Sequence, residues 1–352
     1  MDKTIVDAWN GPGGRDGELT IVSPRDNALH ATDAGAFEHW YVDAHLDSGH
    51  TVIGFLTKRR PEQRPGCDPS IEMLVYHPDG TRTQVNASYP KSQASFSTES
   101  ADVKIGPNSI RSEYPSDGLP VHHVHLEGDG LVFDLTFANE VPSWMPGSGR
   151  TTYGANQYFG WVVPGPRAKV TGSVQIGGET IDATGIGYHD HNWGVGQMPR
   201  IIDRWHWGRL YTPEFTMLFA TVLTQKRWDR HMTTAAMIAQ GDKVILSSGE
   251  FELTEGPMPY DDVAHRARPE WIRLSAPGEF DLRLDVRRIS HAHDLLDDMP
   301  VVRNRAVKPL VRALIGRPGY FRFESDYELT INVDGLDEKL TGSTLHEMVA
   351  LG

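Results

Sequence analysis

Residues 177–190 read GGETIDATGIGYHD, and residues 334–347 read DGLDEKLTGSTLHE. Both stretches pass from a glycine-containing turn into a mostly polar run and end on a histidine followed by an acidic residue. Two such similar stretches in one chain indicate an internal repeat. The matched positions are Gly178 with Gly335, Thr184 with Thr341, Gly185 with Gly342, His189 with His346, and Asp190 with Glu347.

Two further pairs of segments match in the same order along the chain. Residues 39–55 (HWYVDAHLDSGHTVIGF) resemble residues 204–220 (RWHWGRLYTPEFTMLFA), and residues 126–137 (LEGDGLVFDLTF) resemble residues 274–285 (LSAPGEFDLRLD). In the first pair the alignment sets Trp40 over Trp205 and Thr51 over Thr216. One match between hairpins arises easily by chance, but three in the same order predict a duplicated domain.

Short runs that alternate apolar and polar residues fill most of the chain. SIEMLVYHPDGTRTQV (70–85) and AKVTGSVQIGGETIDATG (168–185) show this period of two, broken by turn residues. We therefore predict an all-β protein of two domains, 1–198 and 199–352, with the boundary near Pro199. Each half has enough strands for a sandwich or a lipocalin-like barrel, and such a barrel can enclose one small apolar ligand.

The bulk composition excludes several classes of function. The chain has 352 residues, a net charge of -13 and a single cysteine, Cys67. A surface without a dominant basic patch disfavours nucleic-acid binding, and one cysteine allows neither an intrachain disulfide nor a Cys-based zinc site. The N-terminus lacks a signal-peptide pattern and no apolar run is long enough to span a membrane, so we expect a cytoplasmic monomer or homodimer.

One segment departs from the β pattern. Residues 294–319 (DLLDDMPVVRNRAVKPLVRALIGRPG) carry apolar residues at helical spacing with interleaved basic residues, which predicts a short helix near 300–315. The helix either covers a barrel end or sheet face, the reading that we favour, or makes a peripheral contact with a membrane surface. Its basic residues are Arg303, Arg305, Lys308, Arg312 and Arg317.

The stretch GIGYHDHNWGVG (185–196) concentrates polar side chains on one predicted strand. Strand alternation directs Tyr188, Asp190 and Asn192 to one face, and His189, His191 and Trp193 to the other. The His-x-His pair has a metal-ligand spacing, as do His123 and His125 in VHHVHL, but hydrogen-bonded histidines without a metal are the simpler interpretation. We assign no metal ligand, and we treat His189 and His191 as support for the site.

Tyr188 and Asp190 are the stronger candidates for a catalytic site. Desolvation raises the pKa of a buried carboxyl, so Asp190 is expected to hold a proton that it can donate, with Tyr188 orienting the carboxyl or relaying the proton. The alternative is that both residues only anchor the hairpin through hydrogen bonds. The repeat favours a functional role, because the second half has Leu345 in place of Tyr188.

Tryptophans are frequent around the same segments and are candidate walls for an apolar or cationic ligand. We find no phosphate-binding loop, no G-x-S-x-G and no H-E-x-x-H, so we expect chemistry that needs no cofactor. The candidate substrate-binding residues are Trp40, Trp161, Asn192, Trp193, Trp205, His206 and Trp207, and Trp144 lies in the same set of tryptophans.

The early EHWYVDAHL, the closing GIGYHDHNWG and the duplicated β domain together resemble the hydroxyneurosporene synthase family. This family comprises carotenoid 1,2-hydratases, AttH-like proteins and kievitone-hydratase-like enzymes, and fungal decalin-forming Diels–Alderases look like relatives on the same scaffold of two lipocalin-like barrels. The resemblance runs from about Phe37 to the end of the chain.

The resemblance implies a cofactor-free enzyme for a hydrophobic isoprenoid or polyene substrate. The family's Tyr-x-Asp is assigned to acid/base work, which carries over to Tyr188 and Asp190, and water then adds to a protonated alkene. An upstream tryptophan corresponds in region to Trp161, whereas 157–160 (QYFG) holds no histidine where the hydratases have one. Dehydration, isomerisation and cyclisation are equally compatible, and a pericyclase or a non-catalytic carrier of hydrophobic ligands are the alternatives.

Overall fold

The computed structural model describes residues 2–10, 19–30, 35–61, 63–298, 316–333 and 335–352, together with Val302, Lys308, Val311 and Arg312. Nearly all regular structure in these residues is β-strand, which confirms the all-β prediction. The chain divides into two compact units, and each has its own antiparallel sheet. The first unit is Met1–Gly196 with Gly241–Lys243, and the second is Gln197–Gln240 with Val244–Gly352.

The first unit is a meander in which the earliest long strand pairs with the last one. The main sheet has the order β5-β4-β3-β2-β14-β12-β10-β9-β8-β7-β6, so the β2–β14 pair joins the two ends of the unit. The strands are β1 (Ile5–Val6), β2 (Ala36–Leu46), β3 (Thr51–Arg59), β4 (Ser70–Tyr76), β5 (Arg82–Ser88), β6 (Ala94–Phe96), β7 (Asp102–Ile105), β8 (Asn108–Glu113), β9 (Val121–Gly128), β10 (Leu131–Asn139), β11 (Arg150–Tyr153), β12 (Gln157–Ile176), β13 (Glu179–Asp182) and β14 (Gly185–Val195).

The core of the first unit covers one face of this sheet. On β2 the side chains of Trp40, Val42, Ala44 and Leu46 are all buried in one apolar cluster, and their period of two is that of a strand with a single core-facing side. We call the side of the sheet with these four residues the core face and the opposite side the outer face. Burial of such apolar side chains is the main contribution to the stability of this unit.

The second unit repeats the arrangement. Its sheet has the order β18-β17-β16-β15-β25-β24-β23-β22-β19, in which the first strand again pairs with the last. The strands are β15 (Ile202–Tyr211), β16 (Phe215–Thr224), β17 (Met232–Gln240), β18 (Lys243–Ser248), β19 (Glu252–Glu255), β20 (Tyr260–Asp261), β21 (Arg266–Ala267), β22 (Trp271–Ala276), β23 (Phe280–Asp294), β24 (Gly319–Ile331) and β25 (Glu338–Ala350).

The three matched segment pairs occupy equivalent places in the two sheets. Residues 39–55 and 204–220 form the hairpins β2–β3 and β15–β16, and residues 126–137 and 274–285 form β9–β10 and β22–β23. The histidines of the third match lie on the closing strands β14 and β25. The predicted duplication therefore holds at the level of strand order.

One detail of the predicted alignment is wrong by one residue. His189 lies opposite Val42, and its counterpart His346 lies opposite Gly208, so Trp40 is equivalent to His206 and not to Trp205. The cause is the turn, because Ala44 and Val52 face each other across seven residues, whereas Leu210 and Met217 face each other across six. A slip of one residue exchanges the two faces of a strand.

Helical structure in the described residues is short. The turns of 3-10 or α-helix are Ala8–Asn10, Pro24–Asn27, Lys91–Gln93, Met198–Ile201, Lys226–Trp228 and Leu295–Asp298. Most of the helix predicted near 300–315 lies outside the described residues, and of its basic side chains Lys308 and Arg312 form ion pairs with the buried Asp294. No helix in the described part of the chain has the length and apolar character needed to cross a membrane.

Candidate active site

Strand β14 presents different chemistry on its two faces. In the β2–β14 ladder Asp190 lies opposite Tyr41, and His191 lies opposite Trp40. Residues directly opposite each other project to the same side of a sheet, so His189 and His191 share the core face with Trp40. Tyr188, Asp190 and Asn192 project to the outer face, as the alternation of the sequence predicts. The Tyr188–Asp190 pair therefore does not point into the apolar cluster of its own unit.

Asp190 is the centre of a hydrogen-bonded cluster on the outer face. Its Oδ2 accepts hydrogen bonds from Trp161 Nε1 at 3.1 Å and from the Tyr188 hydroxyl at 3.0 Å, and its Oδ1 accepts one from Asn192 Nδ2 at 2.9 Å. Trp161 comes from β12, where it lies opposite Asn192. The fold thus places three of the predicted site residues around the carboxyl group of a fourth, Asp190.

The surroundings of Asp190 are buried and partly aromatic. Tyr188 is fully buried, Asp190 is 8% exposed, and the Trp161 ring packs edge to face against Trp144 with centroids 5.5 Å apart. All three donors offer N–H or O–H groups, which suit a charged carboxylate, whereas removal from water favours the neutral acid. The three hydrogen bonds also hold the carboxyl group in a fixed position, which transfer of a proton to or from a substrate requires.

The two histidines on the core face, His189 and His191, are uncharged, and their hydrogen bonds join neighbouring segments of the chain. Burial lowers the pKa of His189 to about 3 and that of His191 well below its ordinary value. His189 Nδ1 donates to the Tyr41 carbonyl at 2.8 Å, and its Nε2 accepts from Asn27 at 3.0 Å. His191 Nε2 donates to the Glu38 carboxylate at 3.0 Å. These contacts fasten the N-terminal segment and β2 to β14.

Two of the candidate tryptophans belong to this face as well. The Trp40 ring stacks on His191 with centroids 4.4 Å apart, and the Trp193 ring stacks on His30 at 3.9 Å. Trp40 and Trp193 are therefore separated from the Tyr188–Asp190 pair by the sheet itself. Trp161, by contrast, contacts Asp190 directly.

The second His-x-His pair lies elsewhere on the sheet. His123 is exposed, and His125 Nδ1 hydrogen-bonds to Asp134 Oδ1 at 2.5 Å on the neighbouring strand. Among the residues that the structure describes, no group of three or more His, Cys, Asp or Glu side chains is arranged to hold a metal ion.

The remaining candidates lie on β15 in the second unit. His206 is buried and hydrogen-bonds through Nε2 to Glu255 at 2.9 Å. Trp205 and Trp207 are half-buried and project to the opposite side of β15, where Arg209 lies 5.4 Å from the Trp207 ring. Burial of Glu255 is outweighed by hydrogen bonds from His206 and Arg204, which lower its pKa to about 2.

The structure adds two residues that the sequence analysis did not select. Tyr41 and Asp43 lie on the outer face of β2, and the Tyr41 ring is 6.1 Å from the Tyr188 ring in an edge-to-face arrangement. The signal in the sequence was the Tyr-x-Asp spacing of WYVDA, which is the same as that of GYHDH.

Comparison with other sequences gives partial matches. No protein-family model matches the chain. Hydroxyneurosporene dehydrogenase of Chlorobaculum tepidum is 35% identical over 68 residues, which is 18% of each chain. The quinolone epoxide rearrangement protein penF of Penicillium thymicola is 22% identical over 262 residues, 66% of this chain and 68% of penF. The ceramide-binding protein svf1 of Schizosaccharomyces pombe is 26% identical over 122 residues, about a third of either chain.

Solved structures match over nearly the whole length. An AttH-like protein of Nitrosomonas europaea superposes with a TM-score of 0.60 at 15% identity, over 94% of this chain and 97% of its own. CghA, solved with Sch210972, gives 0.59 at 13% identity over 96% and 98%. Kievitone hydratase of Nectria haematococca gives 0.57 at 17% identity over 95% of both chains. Over nearly its whole length, the chain therefore has the fold of these three solved structures.

Proposed function

We propose that this protein is an enzyme that acts on an apolar unsaturated metabolite, without a cofactor, by acid/base chemistry at Asp190. The observation that carries the proposal is the buried Asp190 carboxyl with its donors Trp161, Tyr188 and Asn192. The fold shared with kievitone hydratase supports it, as does the likeness to a rearrangement protein.

In a hydration, Asp190 as the neutral acid transfers its proton to one alkene carbon, and a positive charge develops on the other carbon. Water adds to that carbon and gives up a proton to a base, so the product gains one molecule of water. Dehydration is the reverse of these steps. Isomerisation and cyclisation share the protonation and end with loss of a proton instead of capture of water.

The donors of Asp190 also set the geometry of proton transfer. Trp161 and Tyr188 both hold Oδ2, so the carboxyl cannot rotate freely, and a fixed donor lowers the entropic cost of reaching the transition state. Once the proton has left, the same hydrogen bonds stabilise the carboxylate. The faces of nearby aromatic rings stabilise a cationic intermediate by cation–π attraction.

Asp190→Asn tests this function. Acyclic isoprenoid and polyene alkenes are incubated with the protein, and mass spectrometry follows gain or loss of water and formation of isomers. We expect loss of turnover by a factor of about 10² to 10⁴ with the fold intact by circular dichroism. Asp134→Asn, which removes an exposed carboxyl from the same sheet, is the matched control. Full turnover by Asp190→Asn would exclude the mechanism.

A pericyclase is the second candidate. It is favoured by the matches to CghA and to the rearrangement protein penF, each of which covers about two thirds of this chain or more. Such an enzyme acts by folding its substrate, so Asp190→Asn is expected to cost little. Turnover of a panel substrate at the wild-type rate by Asp190→Asn would support a pericyclase, whereas loss of that turnover would support the acid/base mechanism.

The third candidate is a non-catalytic function, that of a carrier of hydrophobic ligands. The partial match to a ceramide-binding protein favours it. Organic extraction of the purified protein followed by mass spectrometry would then release a chemically unaltered lipid, and no alkene of the panel would be converted. Conversion of any alkene that depends on Asp190 would contradict this reading.

A further inference from the structure

The motif Tyr-x-Asp occurs twice on neighbouring strands. Tyr41 and Asp43 belong to β2, and Tyr188 and Asp190 belong to β14. The antiparallel register sets Tyr41 opposite Asp190 and Asp43 opposite Tyr188, so each tyrosine of one strand faces the aspartate of the other. All four side chains project to the outer face.

The two pairs have the same internal geometry. The Tyr41 hydroxyl donates to Asp43 Oδ2 at 2.6 Å, and the Tyr188 hydroxyl donates to Asp190 Oδ2 at 3.0 Å. Diagonal neighbours in an antiparallel pair are roughly 7–8 Å apart, which sets the scale of separation between the two aspartates. Asp43 is 1% exposed and Tyr41 is half-buried, so within this pair the carboxyl group is the more deeply buried.

The second unit shows whether the fold itself requires the two Tyr-x-Asp motifs. There Trp207 lies opposite Glu347, which is the equivalent of Tyr41 opposite Asp190. Counting from these positions, Arg209 replaces Asp43 and Leu345 replaces Tyr188. The same pair of strands therefore forms without either Tyr-x-Asp, so the fold does not require the motif.

The two units differ in the charges that they carry at these four positions. In the second unit the positions of Asp43 and Asp190 hold an arginine and a glutamate, Arg209 and Glu347. The first unit instead holds two acids, each hydrogen-bonded to its own tyrosine on the same face of the sheet, and two such pairs can handle two protons in one reaction.

We propose that Tyr41 and Asp43 are the second proton-handling pair of the site, a proposal that rests on the function proposed for Asp190. Asp190 gives its proton to the alkene carbon. The attacking water forms its bond to the adjacent cationic carbon and loses a proton to the Tyr41 oxygen, while the Tyr41 hydroxyl proton passes to the Asp43 carboxylate. Return of one proton from Asp43 to Asp190 restores the starting state.

The proposal also defines the class of substrate. After Asp190 has given up its proton it carries a negative charge, and Tyr41, which lies opposite it across the β2–β14 ladder, serves as the proton acceptor. The site therefore suits substrates that develop a full positive charge, such as trisubstituted alkenes that give tertiary cations, more than substrates that rearrange without charge. Tyr41 is the catalytic residue of this pair, and Asp43 is a positioning residue that acts through it.

Binding of a cation mimic tests whether Asp43 belongs to the site. The probe is dodecyltrimethylammonium, with dodecanol as the neutral probe of the same chain length, and titration calorimetry measures both. We expect the wild type to prefer the cation, and Asp43→Asn to weaken cation binding about tenfold while dodecanol binding changes less than twofold. Asp134→Asn is the control. Equal binding of both probes by the wild type, or unchanged cation binding in Asp43→Asn, would overturn the proposal.

Turnover of the alkene panel in D2O tests the proton path itself. Tyr41→Phe removes the hydroxyl group and keeps the aromatic ring, so a loss of activity in this variant is not caused by unfolding. We expect Tyr41→Phe and Asp43→Asn to retain incorporation of deuterium at the alkene carbon, the Asp190 step, and to lose addition of water by about 10² or more. Asp190→Asn is expected to lose both.

The outcomes separate the two proposals. Wild-type water addition in both Tyr41→Phe and Asp43→Asn, with Asp190→Asn inactive, overturns the role of the second pair and leaves that of Asp190 intact. Activity in Asp190→Asn overturns the proposed function. If no alkene of the panel is converted, the binding experiment alone decides whether Asp43 belongs to the site.

Discussion

At the scale of single residues, Asp190 and Glu347 show how one position acquires different surroundings in two copies of a fold. Asp190 accepts from Trp161 and Tyr188, whereas Glu347 accepts from the Tyr320 hydroxyl at 2.6 Å. Leu345 stands where Tyr188 stands in the first unit and offers no donor. The same position in the two copies of the fold is therefore bonded to donors from different strands and of different kinds.

Trp161→Phe tests the contribution of one of these donors. The variant keeps an aromatic ring and removes the Nε1 hydrogen bond to Asp190, and a hydrogen bond to a charged group contributes about 1.5–3 kcal/mol. We therefore expect kcat to fall at least about tenfold with a small change in KM. Trp271→Phe, at a tryptophan of the second unit that stacks on Arg283, is the control. A kcat equal to that of the wild type would show that this hydrogen bond plays no part in the reaction.

At the scale of elements, β14 combines two functions by alternation. Its outer face carries the Asp190 cluster, and its core face carries His189 and His191 with their fixed partners. Any slip of β14 by one residue would exchange these faces. Close packing between β12 and β14 opposes such a slip, since the Trp193 ring lies directly over Gly160, where a side chain's Cβ would come within 2.2 Å of it.

Gly160→Ala tests this packing. The added methyl group must displace the Trp193 ring, so we expect a loss of about 1–3 kcal/mol in the free energy of unfolding, measured by urea denaturation. Gly35→Ala is the matched control, because a Cβ there meets no atom within 4 Å. Equal stability of the two variants would mean that the ring does not restrain the register.

At the scale of the whole molecule, both units close their sheets in the same way and bury an equivalent histidine. His189 and His346 are both fully buried, and burial lowers the pKa of each to about 3, with His206 adding to the effect at His346. Each has a side-chain partner at Nε2, Asn27 for His189 and Ser325 for His346. The neutral imidazole is thus a shared structural feature of the two copies.

The buried histidines predict how stability depends on pH. Between pH 6.5 and about 3 the unfolded chain binds protons at these positions and the folded chain does not, so stability is lost as the pH falls through this window. His346→Gln is expected to reduce the slope by up to about 1.4 kcal/mol per pH unit in denaturation experiments. A slope in His346→Gln equal to that of the wild type would contradict the account.

The sequence alone determined the class of fold, the duplication and the face of β14 that holds Tyr188 and Asp190. These follow from local rules, because the period of two and the order of hairpins are written along the chain. It did not determine the exact match between copies, where a turn longer by one residue moved Trp40 onto His206. That shift depends on which residues pair across strands.

Only the tertiary structure decided which distant residues meet at the site. Trp161 reaches Asp190 from β12, and Tyr41 with Asp43 lies beside Tyr188 because β2, the first long strand, pairs with β14, the last strand of its unit. The same pairing places Trp40 and Trp193 on the opposite side of the sheet from Asp190. Contacts between residues more than 100 positions apart depend on register and strand order, which no local pattern in the sequence specifies.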